Sequence, residues 1–122
     1  MTDTARNPAL PDVSRYDTFP KLLELNAAKH GNDIWLREKD LGIWNAFTWG
    51  EVAARVKHIA LGLAELGVKR GDVVALLGDN RPEWLMGEIA THAVGGMSLG
   101  IYRDALADEV AYLITYADVA VV

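Results

Sequence analysis

The chain has 122 residues, 51% of them hydrophobic; this length holds one small domain or a piece of a larger one, and the apolar content excludes disorder for most of it. Twelve Lys and Arg against seventeen Asp and Glu give a net charge of −5 with no block of like charge, so a surface specialised for nucleic acid or anionic lipid is not expected, although a local basic pocket is compatible with the balance. The absence of cysteine excludes disulfides, thiolate metal sites and thiol nucleophiles, and fits a reducing compartment, the cytoplasm by expectation.

Residues 1–17 read as a flexible arm, because the start of the chain lacks the apolar core of a signal peptide and carries Pro8 and Pro11. The longest run free of Asp, Glu, Lys and Arg, Ile89 to Tyr102, is too short to span a bilayer. From Thr18 the pattern is helical: Thr18 can cap, Pro20 suits a first turn, and Phe19, Leu22, Leu23 and Leu25 supply an apolar face that stops at His30-Gly31. Asp33 to Lys39 then alternates, with Ile34, Leu36 and Glu38 opposite Trp35 and Arg37, and Ile43 to Thr48 follows across Asp40-Leu41-Gly42, which predicts a hairpin. Trp35 and Trp44 suit a strand pair that buries one face and leaves an exit for polar atoms.

Thr48-Trp49-Gly50-Glu51 has the spacing of a capping box. The helix it opens carries Val52, Val56, Ile59, Leu63 and Leu66 on one stripe with Arg55, Lys57 and Glu65 off it, and Gly67 is placed to end it in a left-handed conformation. Val73 to Leu77 is an apolar run of strand length, expected to be buried on both faces. A polar loop, Gly78-Asp79-Asn80-Arg81, leads to Pro82, which opens a helix reaching about Val94. Gly95-Gly96 breaks that helix, Met97 to Tyr102 predicts a second buried strand, Asp108 to Tyr116 a helix with Val110, Leu113 and Ile114 on its face, and Val119 to Val122 a third strand. The fold class is therefore α/β: an N-terminal helix and β-hairpin followed by a β-α-β-α-β parallel-sheet unit. The third strand runs to the end of the chain, so the end reads as a cut within a larger sheet.

Candidate chemistry is sparse. Neither Gly-x-Gly-x-x-Gly nor Gly-x-x-x-x-Gly-Lys-Ser/Thr occurs, so no dinucleotide turn or P-loop is assigned and a nucleotide-dependent oxidoreductase is disfavoured. Gly78-Asp79-Asn80-Arg81 occupies the strand-to-helix loop where open α/β sheets bind ligands, but an ordinary turn uses the same residue types; the turn reading takes precedence, with anion contact by Arg81 the alternative. His30, His58 and His92 lie on separate elements with no second ligand read at i+3 or i+4, and no metal site is expected. Ser14 falls in the arm and Ser98 lacks a glycine elbow, which disfavours a serine nucleophile. Asp79 and Glu83 sit near a helix start, where carboxylates answer the helix dipole. Trp84 either packs or stacks on a ligand, and Gly95-Gly96 and Gly100 mark close backbone approach by either helix or ligand. No catalytic or metal-ligating residue is assigned.

Five segments in order carry a resemblance. Phe47-Thr48-Trp49-Gly50-Glu51-Val52 resembles the first core motif of the adenylate-forming enzymes, the superfamily of acyl-CoA synthetases, luciferases and peptide-synthetase adenylation domains. Leu66-Gly67 through Gly71-Asp72-Val73-Val74-Ala75, then Asn80-Arg81-Pro82-Glu83-Trp84, then Ala93 to Tyr102, then Asp108 to Ile114 are similar to the segments that follow it, and the third and fourth lean toward long-chain fatty acyl-CoA ligases. Arg103-Asp104 and Gly95-Gly96 depart from the usual pattern without contradicting the fold.

The resemblance implies that residues 18–122 are the start of the large N-terminal AMP-binding domain, an incomplete piece of it. It implies a parent enzyme that uses ATP, Mg2+ and coenzyme A to activate a carboxylate, expectedly a fatty acid. The family's phosphate loop, adenine and ribose contacts and mobile lysine lie downstream of this segment, so none is carried onto these residues. On that reading the chain is a scaffold part, inactive alone and binding no cofactor, its partner being the remainder of the parent. The alternative is a small independent α/β binding or interaction module without catalysis.

Overall fold

The computed structural model describes residues 10–122; residues 1–9 of the expected arm lie outside the described residues. Within residues 10–17 the chain makes a turn around Asp12, whose carboxylate accepts from Ser14 N–H at 3.0 Å and from Ser14 Oγ at 2.6 Å. Helix α1 (Phe19–His30) starts as expected, with Thr18 Oγ1 accepting from Lys21 N–H and a proline in the first turn.

Strands β1 (Ile34–Asp40) and β2 (Ile43–Thr48) form the antiparallel hairpin. Its two loop residues, Leu41 (φ 47°) and Gly42 (φ 81°), are both left-handed, the condition for a tight turn whose twist matches the strands it joins. The alternation expected along β1 is broken, because the register shifts between Ile34 and Leu36. This bulge lets the consecutive side chains Trp35 and Leu36 both pack against the core. Trp35 stacks on Trp49 with ring centroids 4.1 Å apart, whereas Trp44, near the turn, is exposed.

Helix α2 (Trp49–Glu65) opens with the full capping box: Thr48 Oγ1 accepts from Glu51 N–H at 3.2 Å, and Glu51 Oε2 accepts from Thr48 N–H at 2.8 Å. At its end Gly67 has φ 91°, Val68 N–H donates to Leu63 O and Gly67 N–H to Ala64 O, the Schellman pattern. That closure corrects the expected stripe. Leu66 becomes the cap residue and is 70% exposed, while Val68 folds back beside Leu63 into the core.

Strands β3 (Val73–Leu77), β4 (Met97–Ile101) and β5 (Val119–Val121) form a parallel sheet in the order β4-β3-β5, connected by α3 (Pro82–Ala93) and α4 (Ala107–Tyr116). The core is built from Leu23 of α1, Val52, Val56 and Leu63 of α2, Val74 of β3, and Met86, Ile89 and Ala90 of α3. The expected double burial of the strands holds only in part, since Val74 and Ala75 are buried but Leu77 and Met97 are exposed. Helix α4 contacts mainly β5 and buries none of its residues, so Val110, Leu113 and Ile114 are only half-covered.

Gly95 has φ 80°, and the amide of Gly96 donates to Thr91 O. A Cβ on Gly96 would lie 3.1 Å from Asp72 O and 3.2 Å from Thr91 O. The close approach at Gly95-Gly96 is therefore a helix end meeting the turn before β3, and no ligand is needed to explain it.

Candidate functional site

The chain leaves β3 toward β4 and then returns across β3 to β5, so the loops after β3 and β4 diverge at the carboxyl end of the sheet. Such a divergence opens a crevice. Here it is a cleft of about 470 Å³ lined by Gly78, Asp79, Asn80, Trp84, Gly100, Ile101, Tyr102 and Arg103, a size within the range that holds small ligands.

Trp84 forms a wall of the cleft. Its indole packs over Gly100, with ring carbons 3.0 and 3.4 Å from where a Cβ would stand. The glycine is thus answered by a side chain of α3, while the half-buried ring still lines the cleft.

Each of the two loops carries an arginine, and both are committed. Arg103 Nη1 donates to Asp79 Oδ1 at 2.5 Å, joining the two loops, and its Nε donates to Asp104 at 3.3 Å. Arg81 Nε donates to Glu38 Oε1 on the hairpin at 2.8 Å, with Glu83 Oε2 at 3.9 Å. The hydrogen bond from Arg103, then its charge, holds the Asp79 carboxyl below the ordinary aspartate range. Glu38 does the most to hold the proton on Arg81, and Asp79 on Arg103. Of the sequence candidates, Asp79, Asn80, Trp84 and Gly100 converge on this cleft; Arg81 is turned to the hairpin, and Glu83 stays beside it rather than pairing with Asp79.

The histidines need a correction. Asp33 stands at i+3 from His30, with Oδ2 at 3.2 Å from Nδ1, and Glu88 stands four residues before His92. Ser98 Oγ donates to Glu88 Oε1 at 3.2 Å and lies 3.1 Å from His92 Nε2. The serine is thus a bridge that ties Glu88 and His92 of α3 to β4. The spacing of Glu88 and His92 could have signalled the cluster; the participation of Ser98 could not be read without the sheet register.

A magnesium-bound nucleotide requires carboxylates free to reach the metal and donors free to reach the phosphates. Among the described residues no group of three or more His, Cys, Asp and Glu could hold a metal ion; Arg103 at the cleft is engaged by Asp79, and Arg81 beside it by Glu38. Among the described residues, the side chains at the cleft do not fit that group.

Compared with known families, the chain matches the AMP-binding enzymes over residues 23–122. It belongs to that family. Among its relatives, an uncharacterized protein of Mycobacterium tuberculosis is 39% identical over 75 residues, 62% of this chain and 43% of that protein. The long-chain-fatty-acid–CoA ligase FadD15 of Mycobacterium bovis is 34% identical over 80 residues, 66% of this chain and 13% of the ligase. A fatty acid AMP ligase from Legionella pneumophila superimposes with a TM-score of 0.83 at 18% identity, over 91% of this chain and 20% of that one. The resemblance seen in the sequence, and the α/β arrangement it implied, are borne out. The chain spans less than half the length of the curated relatives it matches.

Proposed function

We propose that this segment belongs to an ATP-dependent acid–thiol ligase that activates a carboxylic acid, a fatty acid by class, to an acyl adenylate and passes the acyl group to coenzyme A in the cytoplasm. The family match over residues 23–122 carries the reading, and the relatives named as long-chain-fatty-acid–CoA ligases give it a substrate class. Within such an enzyme, residues 18–122 are a scaffold. Their contribution is a sheet whose carboxyl end carries Trp84, Tyr102 and the Asp79–Arg103 bridge as one wall of a cleft. ATP, Mg2+ and coenzyme A are the parent's reactants; binding of the first two draws on residues outside this segment, because Arg81 and Arg103, the cations beside the cleft, are already engaged by Glu38 and Asp79.

Exchange of labelled pyrophosphate into ATP tests both parts. The protein carrying the rest of the ligase domain is expected to show exchange that depends on added fatty acid, and to release acyl-CoA when coenzyme A is supplied. The isolated 122-residue chain is expected to show none. Exchange by the isolated chain overturns the scaffold assignment, and absence of exchange in the longer protein with every fatty acid overturns the ligase assignment.

A further inference from the structure

The loop after β3 carries two opposite charges that are paired away from each other. Asp79 and Arg81 flank Asn80 in a tight turn, in which Arg81 N–H donates to Asp79 O at 2.8 Å. Their side chains diverge, Asp79 to Arg103 in the loop after β4 and Arg81 to Glu38 on β1. Opposite charges this close attract one another, so the turn would pair within itself unless another partner held one of them. Glu38 is that partner. Its side chain is only 15% exposed, and withdrawal of Arg81 would leave a largely buried carboxylate without its hydrogen-bonded cation, a cost that the half-exposed Asp79 does not carry.

Asp79 also lines two cavities. One is the cleft, where it meets Arg103; the other lies between the loop and the hairpin, where Arg81 and Glu38 meet. The charge of Arg81 already acts on the Asp79 carboxyl, after that of Arg103. The second cavity also holds Arg37, Lys39 and Asp40, and Glu83 stands 3.9 Å from Arg81, but the bond to Glu38 is the leading influence on this arginine.

We propose that Glu38 is a positioning residue for the cleft: by holding Arg81 on the hairpin it leaves Asp79 to Arg103, and when it lets go, Arg81 takes Asp79 and Arg103 is released at the cleft. The loop then has two pairings, tethered outward or closed on itself, and the hairpin selects between them. All four side chains lie within this chain, and the exchange does not depend on the ligase reading.

An NMR titration of the Asp79 carboxyl in the intact chain tests the exchange. In an Arg103→Gln background, adding Glu38→Gln should move the Asp79 midpoint downward, because the released Arg81 takes over the carboxylate, and adding Arg81→Gln as well should raise it again. Glu38→Asp keeps the charge but shortens the reach, so it should give a smaller fall of the same sign, which loss of a neighbouring negative charge could not produce. It also carries the test alone should Glu38→Gln unsettle the hairpin. With Arg103 in place, Glu38→Gln should speed exchange of the Arg103 Nη protons with water, since Asp79 is then shared. An Asp79 midpoint that neither Glu38 variant moves overturns the proposal. So does a fall that survives Arg81→Gln in full, which would trace it to Arg37, Lys39 or the lost charge. A fall at Asp40 or Glu83 in place of Asp79 overturns it too, because the released arginine would then have gone elsewhere.

Discussion

The indole of Trp84 lies across Gly100, so the wall of the cleft and the spacing of α3 from β4 are set by one contact. Gly100→Leu should therefore push the ring into the cleft and lower stability by about 2 kcal/mol, the usual cost of overpacking. Urea melts followed by tryptophan emission check this. The loss should be largely absent when the same substitution is made in a Trp84→Ala background, because the two residues share the space. Equal losses in both backgrounds would show that the glycine serves the strand and not the ring.

The Asp79–Arg103 bridge gives the cleft a pH response. Because the carboxyl is held below its ordinary range by the arginine, the bridge contributes fully above the ordinary aspartate pKa and is lost as pH falls through the lower folded value. Both side chains are more than half exposed, so solvent and salt reduce the effect on stability, and the carboxyl resonance is the better readout. In an NMR titration, Arg103→Gln should move the Asp79 midpoint upward, toward ordinary aspartate. An unchanged midpoint would mean that Arg103 does not hold the carboxyl in solution.

Local signals made much of the fold legible, and the exceptions share a cause. Thr48 and Glu51 mark the start of α2, Gly67 its end, and Gly95 the end of α3, because each depends on neighbours within a few residues. Periodicity could not separate Leu63 from Leu66: both fit the stripe, but the cap turns Leu66 outward and brings Val68 in. Nor could it give the bulge at Trp35, the bridging of α3 to β4 by Ser98, or the reach of Arg103 across to Asp79, since these depend on strand register and on loops that meet only in the folded chain. The cleft itself was legible only as a position at the end of a strand.

That distinction has a direct test in paired truncations. Leu63→Ala should cost about 2 to 4 kcal/mol, as for a buried leucine that leaves a cavity, whereas Leu66→Ala should change stability by no more than about 0.5 kcal/mol, as at an exposed position. The midpoint of a urea transition for each variant, at unchanged slope, supplies the comparison. Similar losses at the two positions would mean that Leu66 is covered in solution and that the stripe continues through the helix end.

The capping box at Thr48 is the last local device that can be tested alone. Its two hydrogen bonds, from Glu51 N–H to Thr48 Oγ1 at 3.2 Å and from Thr48 N–H to Glu51 Oε2 at 2.8 Å, join the hairpin directly to α2. Thr48→Ala removes the first and should cost about 1 kcal/mol; Thr48→Ser and Thr48→Asp keep an acceptor and should recover most of that loss. Because β2 ends at Thr48 and α2 begins one residue later, amide exchange should rise at both the first turn of α2 and the paired end of β1 in Thr48→Ala. A rise confined to the helix would show that the cap stabilises α2 alone and that the hairpin is anchored by Trp35 stacking on Trp49.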